Sequence, residues 1–513
     1  MSQHPPIHGA ALALLTLSLS LATFMQVLDT SIANVSIPDI SGDLAVSPDQ
    51  GTWIITSFAV SNAIALPLSG WLAQRFGEVR LFVAATLLFT LASMFCGLST
   101  NLPMLVTFRV IQGAVAGPMI PLSQSLLLAN YPHEKKGLAL ALWSMTVVLA
   151  PIFGPILGGY ITDNLSWQWI FYINVPVGIV SSWFTWQLLR ERETETHRRP
   201  IDRVGLVLLV IGVGCLQLLL DKGNELDWFD SRTIIVLAVV ATVCLSVFVV
   251  WELTETHPVV DLSLFAIRNF TVGAIAISIG YMTFFAGVVV YPLWLQTQMG
   301  YTATWAGLSA APLGILPVFL SPFVGRYMHR IDLRVLVSFS FVVFGAVSLW
   351  SSTFDTNADF LHLTLPRFTQ GLGMAFFFIP LMSILLSGLP ANRVASASGL
   401  SNFLRMLGGS FGTSLSIALW DRRESFHHSR LTESLTATDP AAQSAVAGLH
   451  AAGMPTASAW AVIERQLSGQ SYVLAVNDVF LVSGWIFFSL IALIWLARPP
   501  FTSARPGSAA AEH

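Results

Sequence analysis

The chain has 513 residues, of which 54% are hydrophobic and only 10% are charged. Because a soluble domain carries about 25% charged residues, a chain of this composition cannot cover its own surface with polar groups. The net charge of −3 and the lack of a long basic segment exclude a nucleic-acid partner. The three cysteines lie inside apolar runs without metal-ligand spacing, so we expect no metal site.

Apolar runs of about twenty residues recur along the whole chain, and this is the length at which an α-helix crosses a hydrocarbon core of about 30 Å. They predict an all-α integral membrane protein with about fourteen transmembrane helices. The predicted spans lie near residues 11–37, 50–73, 79–99, 103–128, 137–161, 168–189, 203–220, 231–252, 269–292, 304–327, 334–353, 363–388, 394–420 and 473–497.

Lysine and arginine are concentrated on one side of these spans, as the positive-inside rule expects of cytoplasmic segments. Sixteen of the 25 residues fall in segments on the side of the N-terminus, and six fall on the opposite side. The remaining three, Arg109, Arg367 and Arg405, lie within spans. Since the number of spans is even, both termini are predicted to be cytoplasmic.

One carboxylate, Asp29, stands in the stretch LDTSIANVSIP, after a run without formal charge from Ala10 to Val27. A charged side chain at the centre of a membrane helix costs roughly 2.5–3.5 kcal/mol, so such a residue is a functional-site hypothesis. The alternative is that the span ends early and that Asp29 is solvated in the headgroup region.

Two arginines lie several residues inside spans 4 and 12, where a guanidinium needs an acceptor. Asp29 is the candidate acceptor for Arg109 in the N-terminal half of the chain. Protonation of Asp29 would then release Arg109 to other partners, which makes the pair a candidate proton switch. The alternative for Arg109 and for Arg367 is that each bonds helix-end carbonyl groups as a structural strut.

The two halves of the chain share a weak internal repeat. Three pairs of short motifs recur in the same order at nearly constant offset: Arg109-x-x-Gln112-Gly113 with Arg367-x-x-Gln370-Gly371, Pro67-x-x-Gly70 and Arg75 with Pro322-x-x-Gly325 and Arg330, and Thr52-Trp53 with Thr304-Trp305. They predict a six-helix bundle in residues 1–190, a charged linker and two inserted helices in 191–260, and a second bundle in 261–513. Two such repeats are the architecture of alternating-access transporters.

Span 5 combines prolines and glycines at helical spacing: Pro151, Gly154, Pro155, Gly158 and Gly159. Proline removes a backbone donor and glycine admits close helix contact, so we expect a bent, tightly packed span. A packing motif of any helical bundle is the alternative. Span 13 carries a looser echo of the pattern at Gly408, Gly409 and Gly412.

Sparse polar residues stand among phenylalanine, tryptophan and methionine in several spans: Gln26, Asn34, Gln112, Gln124, Asn174, Asn402 and Arg405. A cavity lined in this way suits a ligand that is itself apolar and variable in shape, including a cation. The sequence has no H-E-x-x-H motif, Walker loop or Ser/His/Asp constellation, so we expect neither an enzyme nor a cofactor, and transport driven by an ion gradient or by diffusion.

Two segments stand outside the spans. The charged stretch from Arg190 to Pro200 is predicted to be a solvated cytoplasmic connector. Residues of about 421–471 form an outside loop of helical composition, and a loop of this length commonly has its own structure. This loop is either a small amphipathic cap that lies on the membrane or a surface on which a partner docks.

Several of these motifs, LDTSIANVSIP, the turn from Gly70 to Arg80, RVIQG and APIFGPILGG, resemble the signatures of the fourteen-span drug:proton antiporters of the major facilitator superfamily. The resemblance covers nearly the whole chain. It is closest to the inner-membrane pumps of Gram-negative tripartite efflux systems, on stretches such as SLATFMQVLD, IPLSQSLLL, LALWSMTVVLAP, WIFYINVPVG and NFLRMLGGSFGTS.

The resemblance implies a major facilitator fold and a proton-coupled exporter of diverse hydrophobic drugs in the inner membrane. It implies that Asp29 couples protons together with Arg109, and that the five prolines and glycines of span 5 form the antiporter motif. It also implies a periplasmic adaptor of the EmrA type and an outer-membrane channel of the TolC type as partners. A narrow-substrate exporter, for a siderophore or a fatty acid, is the alternative, and a membrane-embedded enzyme or receptor is a third hypothesis.

The cytoplasmic turn after span 2 departs from the family pattern G-x-L-A-D-R-x-G-R-K. Gly70, Arg75, Gly77 and Arg80 remain in this turn. Gln74 replaces the acidic residue, and Glu78 and Val79 replace the basic pair. The charge latch between the bundles that this turn supplies in the family is therefore not expected here.

Overall fold

A computed structural model describes residues 7–132, 135–196, 202–256, 258–390, 393–434 and 439–501. All regular structure in these ranges is helical. The α-helices, in chain order from α1 to α21, are Gly9–Val35, Ile37–Asp43, Pro48–Gly51, Trp53–Ala65, Ser69–Phe76, Glu78–Gly97, Leu102–Ala116, Met119–Asn130, Lys136–Asn164, Trp169–Tyr172, Asn174–Leu189, Arg203–Lys222, Arg232–Thr254, Arg268–Thr297, Ala303–Ala310, Ile315–Tyr327, Leu333–Ser351, Phe360–Leu385, Val394–Ser434, Pro440–Ala451 and Thr456–Ile494. Four short 3-10 helices connect some of them, at Trp228–Asp230, Leu262–Ala266, Ala311–Gly314 and Met328–Arg330.

Each predicted span coincides with a helix or with consecutive helices. Within the described residues, ten helical segments are long and apolar enough to cross a membrane, or eleven if the bent pair α4 and α5 counts as one span. The other three predicted spans fall on α9, on the 16-residue α11 and on α19, whose 41 residues include a polar second half. The expected all-α membrane fold is therefore confirmed, with fewer spans by length and composition than the fourteen predicted.

Span 2 is bent sharply at a proline. Helices α4 and α5 meet at an angle of 62°, and Pro67 lies between them. Proline removes one backbone donor, which lets a helix break at that point. Span 5 is the single helix α9, from Lys136 to Asn164.

The repeated segments pack in the same way in both halves. A Cβ atom at Gly113 of α7 would lie 3.1 Å from the Phe58 carbonyl carbon. A Cβ atom at Gly371 of α18 would lie 2.6 Å from the Leu313 carbonyl oxygen. Each glycine therefore lets its helix approach the backbone of the equivalent neighbouring span. Helices α12 and α13 pack against each other, and only 17% of the most apolar segment of α13 is buried, so this pair is peripheral.

The two halves contact each other through small residues near the predicted cytoplasmic side. Gly137 of α9 faces Gly325 of α16, where an added Cβ at Gly325 would lie 2.5 Å from the Gly137 carbonyl oxygen. Gly70 of α5 faces Ser396 of α19, where an added Cβ would lie 2.7 Å from the Ser396 Cα. These approaches close the cytoplasmic ends of the two bundles against each other.

The charged linker after α11 is partly docked, which corrects the expectation of a solvated connector. Its Glu193 side chain is only 15% exposed. The Glu193 carboxylate accepts hydrogen bonds from the backbone N–H groups of Val79, at 3.0 Å, and Arg80, at 2.9 Å. The first N–H groups of a helix have no partner within the helix, so a carboxylate placed there caps it. Glu193 therefore caps the N-terminus of α6.

The outside loop is helical over most of its described residues. Helix α19 continues to Ser434 and α21 begins at Thr456, so both extend past the predicted membrane boundary, with α20 between them. Asp478 of α21 joins the two helices, because its Oδ2 atom lies 2.5 Å from Nε of Arg423 and 2.7 Å from Nε2 of His427. At ~1.5 Å rise per residue, the extension of α19 alone reaches ~20 Å. We call residues 421–471 the outer hairpin.

Candidate functional site

Asp29 lies in the interior of α1 and not at its end. The helix continues for six residues beyond Asp29, to Val35. The Asp29 side chain is buried, with 1% of the residue exposed. The alternative in which the span ends early and Asp29 is solvated is therefore wrong.

Three side-chain donors surround the Asp29 carboxylate. Arg109 of α7 donates from Nη1 to Oδ2 at 2.5 Å. Gln112, one turn further along α7, donates from Nε2 to Oδ1 at 3.1 Å, and Asn174 of α11 donates from Nδ2 to Oδ1 at 2.8 Å. An ionised carboxylate only accepts hydrogen bonds, and hydrogen bonds to a charged group are the strong ones. The structure thus brings Asp29 and Arg109 together, with Gln112 and Asn174 as further donors to the same carboxylate.

Arg109 is held from several directions. Its Nε donates to the Ile54 carbonyl of α4 at 3.0 Å, and its Nη1 also donates to Gln112 Oε1 at 2.8 Å. The guanidinium carbon lies 4.4 Å from the centre of the Phe58 ring. Both side chains of the ion pair are 0% exposed. Since a buried charge that loses its partner is strongly destabilising, α1, α4 and α7 are tied together at this point.

A further layer around Asp29 comes from α6, which sequence reasoning missed. Ser93 accepts a hydrogen bond from Asn174 Nδ2 at 3.0 Å and donates to the Phe171 carbonyl at 2.9 Å. Cys96 donates from Sγ to Gln112 Oε1 at 3.6 Å. Residues three apart share one face of a helix. The spacing of Ser93 and Cys96 within an apolar run could therefore have indicated that this face of α6 contacts a polar site.

The antiporter motif packs α9 against α1 next to Asp29. A Cβ atom at Gly154 would lie 2.5 Å from Ser31 Cβ, and one at Gly158 would lie 2.9 Å from Ile32 Cγ1. Ser31 Oγ donates to the Pro151 carbonyl at 3.3 Å. Gly159 faces open space. The motif therefore couples the position of α9 to the segment of α1 that follows Asp29, and the Pro155 side chain lies outside the described part of the structure.

The cytoplasmic turn is a packing element. Gly77 has φ +88°, a conformation that favours glycine, and the Glu193 carboxylate lies against it. Arg75 is half-buried and Arg80 is exposed, and Arg80 Nε lies 3.8 Å from Glu193. Glu78, which departs from the family pattern, is buried and accepts hydrogen bonds from the Ser125 hydroxyl at 2.8 and 3.0 Å within the same bundle.

The seven residues predicted to line the cavity do not lie together in the structure. Gln112 and Asn174 belong to the Asp29 cluster. Gln124 and Asn402 join the two bundles, because Asn402 Nδ2 donates to Gln124 Oε1 at 3.2 Å. All four are buried and hydrogen-bonded to other side chains.

The remaining three cavity candidates are Gln26, Asn34 and Arg405. Gln26 is buried three residues before Asp29, and its Oε1 has no hydrogen-bond partner among the described residues. Asn34 is exposed, and Arg405 is half-buried. Arg405 Nη1 donates to Tyr281 Oη at 2.8 Å, and its guanidinium lies 4.7 Å from the centre of that ring.

Comparisons with known proteins agree with this arrangement. The Major Facilitator Superfamily model matches residues 19–413. Multidrug export protein EmrB of Escherichia coli is 54% identical, over 99% of this chain and 100% of that protein. EmrB of Haemophilus influenzae is 55% identical, over 97% of this chain and 98% of that protein. Fatty acid resistance protein FarB of Neisseria gonorrhoeae is 52% identical, over 98% of this chain and 99% of that protein.

A solved structure shows the same fold. The crystal structure of a double-tryptophan mutant of XylE matches with a TM-score of 0.59 and covers 95% of this chain and 99% of that chain. At 15% sequence identity this likeness concerns the fold alone. The superfamily model, the full-length relatives and the shared fold confirm the resemblance found in the motifs, and the chain belongs to the major facilitator superfamily.

Proposed function

We propose that this multi-pass membrane protein exports structurally diverse hydrophobic compounds in exchange for protons, with Asp29 as the proton carrier. Full-length identity of 54–55% with proteins named for multidrug export supports the export function. The proposed proton coupling rests on one observation. The Asp29 carboxylate is buried within a membrane helix and accepts hydrogen bonds from three side chains. The sequence has no H-E-x-x-H motif, Walker loop or Ser/His/Asp constellation that would favour an enzyme instead.

Protonation of Asp29 changes the balance of charge in the site. In the ionised form the carboxylate neutralises Arg109 at 2.5 Å. A proton on Asp29 cancels that negative charge and turns one oxygen from an acceptor into a donor, so Arg109 retains only neutral partners, the Ile54 carbonyl and Gln112. An unpaired buried cation is costly, so the helices that carry the pair rearrange when the proton binds.

Through the antiporter motif, α9 connects the segment of α1 next to Asp29 with the contact between the two bundles. Ser31 lies two residues after Asp29 and contacts Gly154 of α9. The cytoplasmic end of the same helix contacts Gly325 of the other bundle through Gly137. A shift of α1 therefore acts on α9, and α9 forms part of the cytoplasmic closure. Alternating exposure of a midplane site follows from such rocking of two bundles.

The substrate pathway is proposed to contain Gln26, Asn34 and Arg405. Few polar groups amid apolar and aromatic surface orient a hydrophobic ligand without demanding one shape. Gln26 stands one turn from Asp29, so a compound held there is close enough to sense the protonation state of the carboxylate.

The coupling is tested in proteoliposomes with an imposed pH gradient. Asp29→Asn keeps the shape of the side chain but cannot carry the proton, so gradient-driven drug accumulation is expected to fall at least tenfold, while exchange of drug down its own gradient persists. The matched control is Asp39→Asn, the same change at an exposed position in α2 outside the span. Full gradient-driven accumulation by Asp29→Asn would remove Asp29 from the coupling role.

We further propose an inner membrane of a Gram-negative cell as the location, with cytoplasmic termini, and a periplasmic adaptor of the EmrA type that leads to a TolC-type channel. The outer hairpin supports an adaptor contact, because it projects ~20 Å from the predicted membrane surface by helix rise. Its exposed residues include Met454 and Trp460, which are 39% and 36% exposed. Aromatic residues and methionine are enriched at protein interfaces.

A photo-crosslinker tests this contact in cells that carry the adaptor. Placed at Trp460, the crosslinker is expected to capture the adaptor. Placed at Phe229, an aromatic residue in another outside segment that is more accessible, with 63% exposed, it is expected to capture little. Equal capture at both positions, or none at Trp460, contradicts a docking role of the outer hairpin.

A narrow-substrate exporter of fatty acids is the second candidate, and the 52% identity with a protein named for fatty acid resistance favours it. Susceptibility of a deletion strain to a panel of unrelated compounds separates the two functions. Changes for several chemical classes support multidrug export, whereas a change for fatty acids alone supports the narrow function.

A further inference from the structure

The C-terminal bundle contains a buried arginine without a carboxylate partner. Arg367 of α18 is 4% exposed. Its Nη1 donates to Gln370 Oε1 at 2.9 Å, and its Nη2 donates to the Gly287 carbonyl at 3.3 Å. Its Nε has no hydrogen-bond partner among the described residues, which also supply no carboxylate within ion-pair distance of the guanidinium. The charge of Arg367 is therefore not neutralised by this part of the chain.

The internal repeat explains where the missing carboxylate would be. Arg367 and Gln370 are the counterparts of Arg109 and Gln112, and the same offset takes Asp29 to Gly287. A Cβ atom at Gly287 would lie 3.6 Å from Nη1 of Arg367. The C-terminal bundle thus keeps the arginine and the glutamine of the proton site and lacks the side chain that carries the negative charge.

A small cavity occupies the space next to this arginine. It has about the room of one water molecule or one small ion. Its walls include Arg367, Gln370, Gly287 and four residues with hydroxyl groups: Thr283, Ser348, Ser351 and Ser483. The Thr283 and Ser483 hydroxyls donate to the carbonyls of Ile279 and Val479 in their own helices. The Arg367 guanidinium and the hydroxyl groups of Ser348 and Ser351 can donate hydrogen bonds, which suits an anion. No carboxylate lines the cavity among the described residues.

Aromatic contacts compensate for only part of the missing charge. The Arg367 guanidinium lies 4.0 Å from the centre of the Tyr291 ring and 5.3 Å from that of Phe480. A ring attracts a cation through its quadrupole but does not cancel the charge. A fully buried and unpaired charge remains strongly unfavourable.

We propose that this cavity binds a small monovalent anion, with chloride as the physiological occupant, and that the anion serves as the counter-ion of Arg367. The site lies in the other bundle from Asp29, so it stands apart from the proposed proton exchange. The anion takes the place that a carboxylate at position 287 would occupy, and it stabilises the packing of α14, α18 and α21 around Arg367.

The test is thermal unfolding of the purified full-length protein, without drug, in chloride and in gluconate at equal ionic strength. Chloride and bromide are expected to raise Tm by a few degrees in a saturable manner, whereas gluconate is too large to enter. Gly287→Asp places a permanent negative charge next to Arg367, so the Tm of this variant is expected to be independent of chloride. Gly287→Asn fills the same space without the charge, so its Tm is expected to be lower than that of Gly287→Asp in both salts.

Equal Tm values of the wild-type protein in chloride and gluconate would overturn the proposal, and so would an undiminished chloride effect in Gly287→Asp. If Gly287→Asp does not fold, bromide anomalous scattering from wild-type crystals tests whether an anion occupies the cavity. A bromide peak in contact with the Arg367 guanidinium supports the site, and a cavity that holds water alone refutes it. None of these measurements involves transport, so they succeed or fail independently of the proposed function.

Discussion

Gly154 of α9 lies against Ser31 of α1, and adding one methyl group there tests whether this close approach is needed for transport. The new Cβ would lie 2.5 Å from Ser31 Cβ and 3.1 Å from the Ser31 carbonyl carbon. Carbon atoms in good contact are about 3.5–4.0 Å apart. The Ser31 hydroxyl can rotate away, but its Cβ cannot, so Gly154→Ala forces the helices apart by about 1 Å.

The expected magnitude follows from a matched substitution five residues away. Overpacking of a tight contact costs about 1–3 kcal/mol. Gly159→Ala meets nothing within 4 Å, and alanine is favoured over glycine in a helix by about 0.8–1.0 kcal/mol. Both variants share that helix preference, so their difference in unfolding free energy is the overpacking cost alone, about 1–3 kcal/mol in favour of Gly159→Ala.

Two measurements check this prediction. Tm of the purified protein is expected to fall for Gly154→Ala and to stay level or rise for Gly159→Ala. Gradient-driven drug transport in proteoliposomes is expected to fall severalfold for Gly154→Ala only. The double variant Ser31→Gly, Gly154→Ala removes the clashing Cβ and should recover both values. Equal behaviour of the two single variants would refute the argument that contact of α9 with α1 transmits the state of Asp29.

Two further predictions concern elements outside the membrane core. Glu193→Ala removes the cap of α6 and is expected to lower the unfolding free energy by about 0.5–2 kcal/mol, whereas Glu191→Ala, at a side chain that is 81% exposed, changes Tm little; equal shifts in thermal unfolding would argue against the cap. Asp478→Asn removes the charge that joins Arg423 and His427, and because these side chains are partly exposed the loss of global stability is below about 1 kcal/mol. Limited proteolysis should nevertheless cut the outer hairpin faster in Asp478→Asn, and a cleavage rate like that of the wild-type protein would speak against the role of this contact.

The two bundles use one duplicated motif for different purposes. Around Arg109 the carboxylate of Asp29 is the proposed proton carrier. Around Arg367 the glycine at position 287 leaves a cavity in its place. The second bundle therefore retains the arginine and glutamine of the motif without its carboxylate.

Much of the candidate site could be predicted from the sequence. Asp29 and Arg109 carry opposite charges within apolar runs of the same bundle. Because an unpaired charge inside a membrane span is energetically costly, the sequence predicted that the two side chains form a pair. The placement of Gln112 and Asn174 on the same carboxylate could not be predicted, and both were assigned to the substrate cavity. Spans that are apolar on nearly all sides carry little information about which face meets which neighbour.

The sequence by itself determined the membrane class, the helical spans, the internal repeat and the pairing of Asp29 with Arg109, because these depend on composition, length and the cost of a charge in an apolar run. Only the tertiary structure decided the docking of Glu193 on α6, the projection of the outer hairpin and the cavity beside Arg367. These features depend on the rotation and depth of each helix against its neighbours, and such contacts join residues that are far apart in the chain.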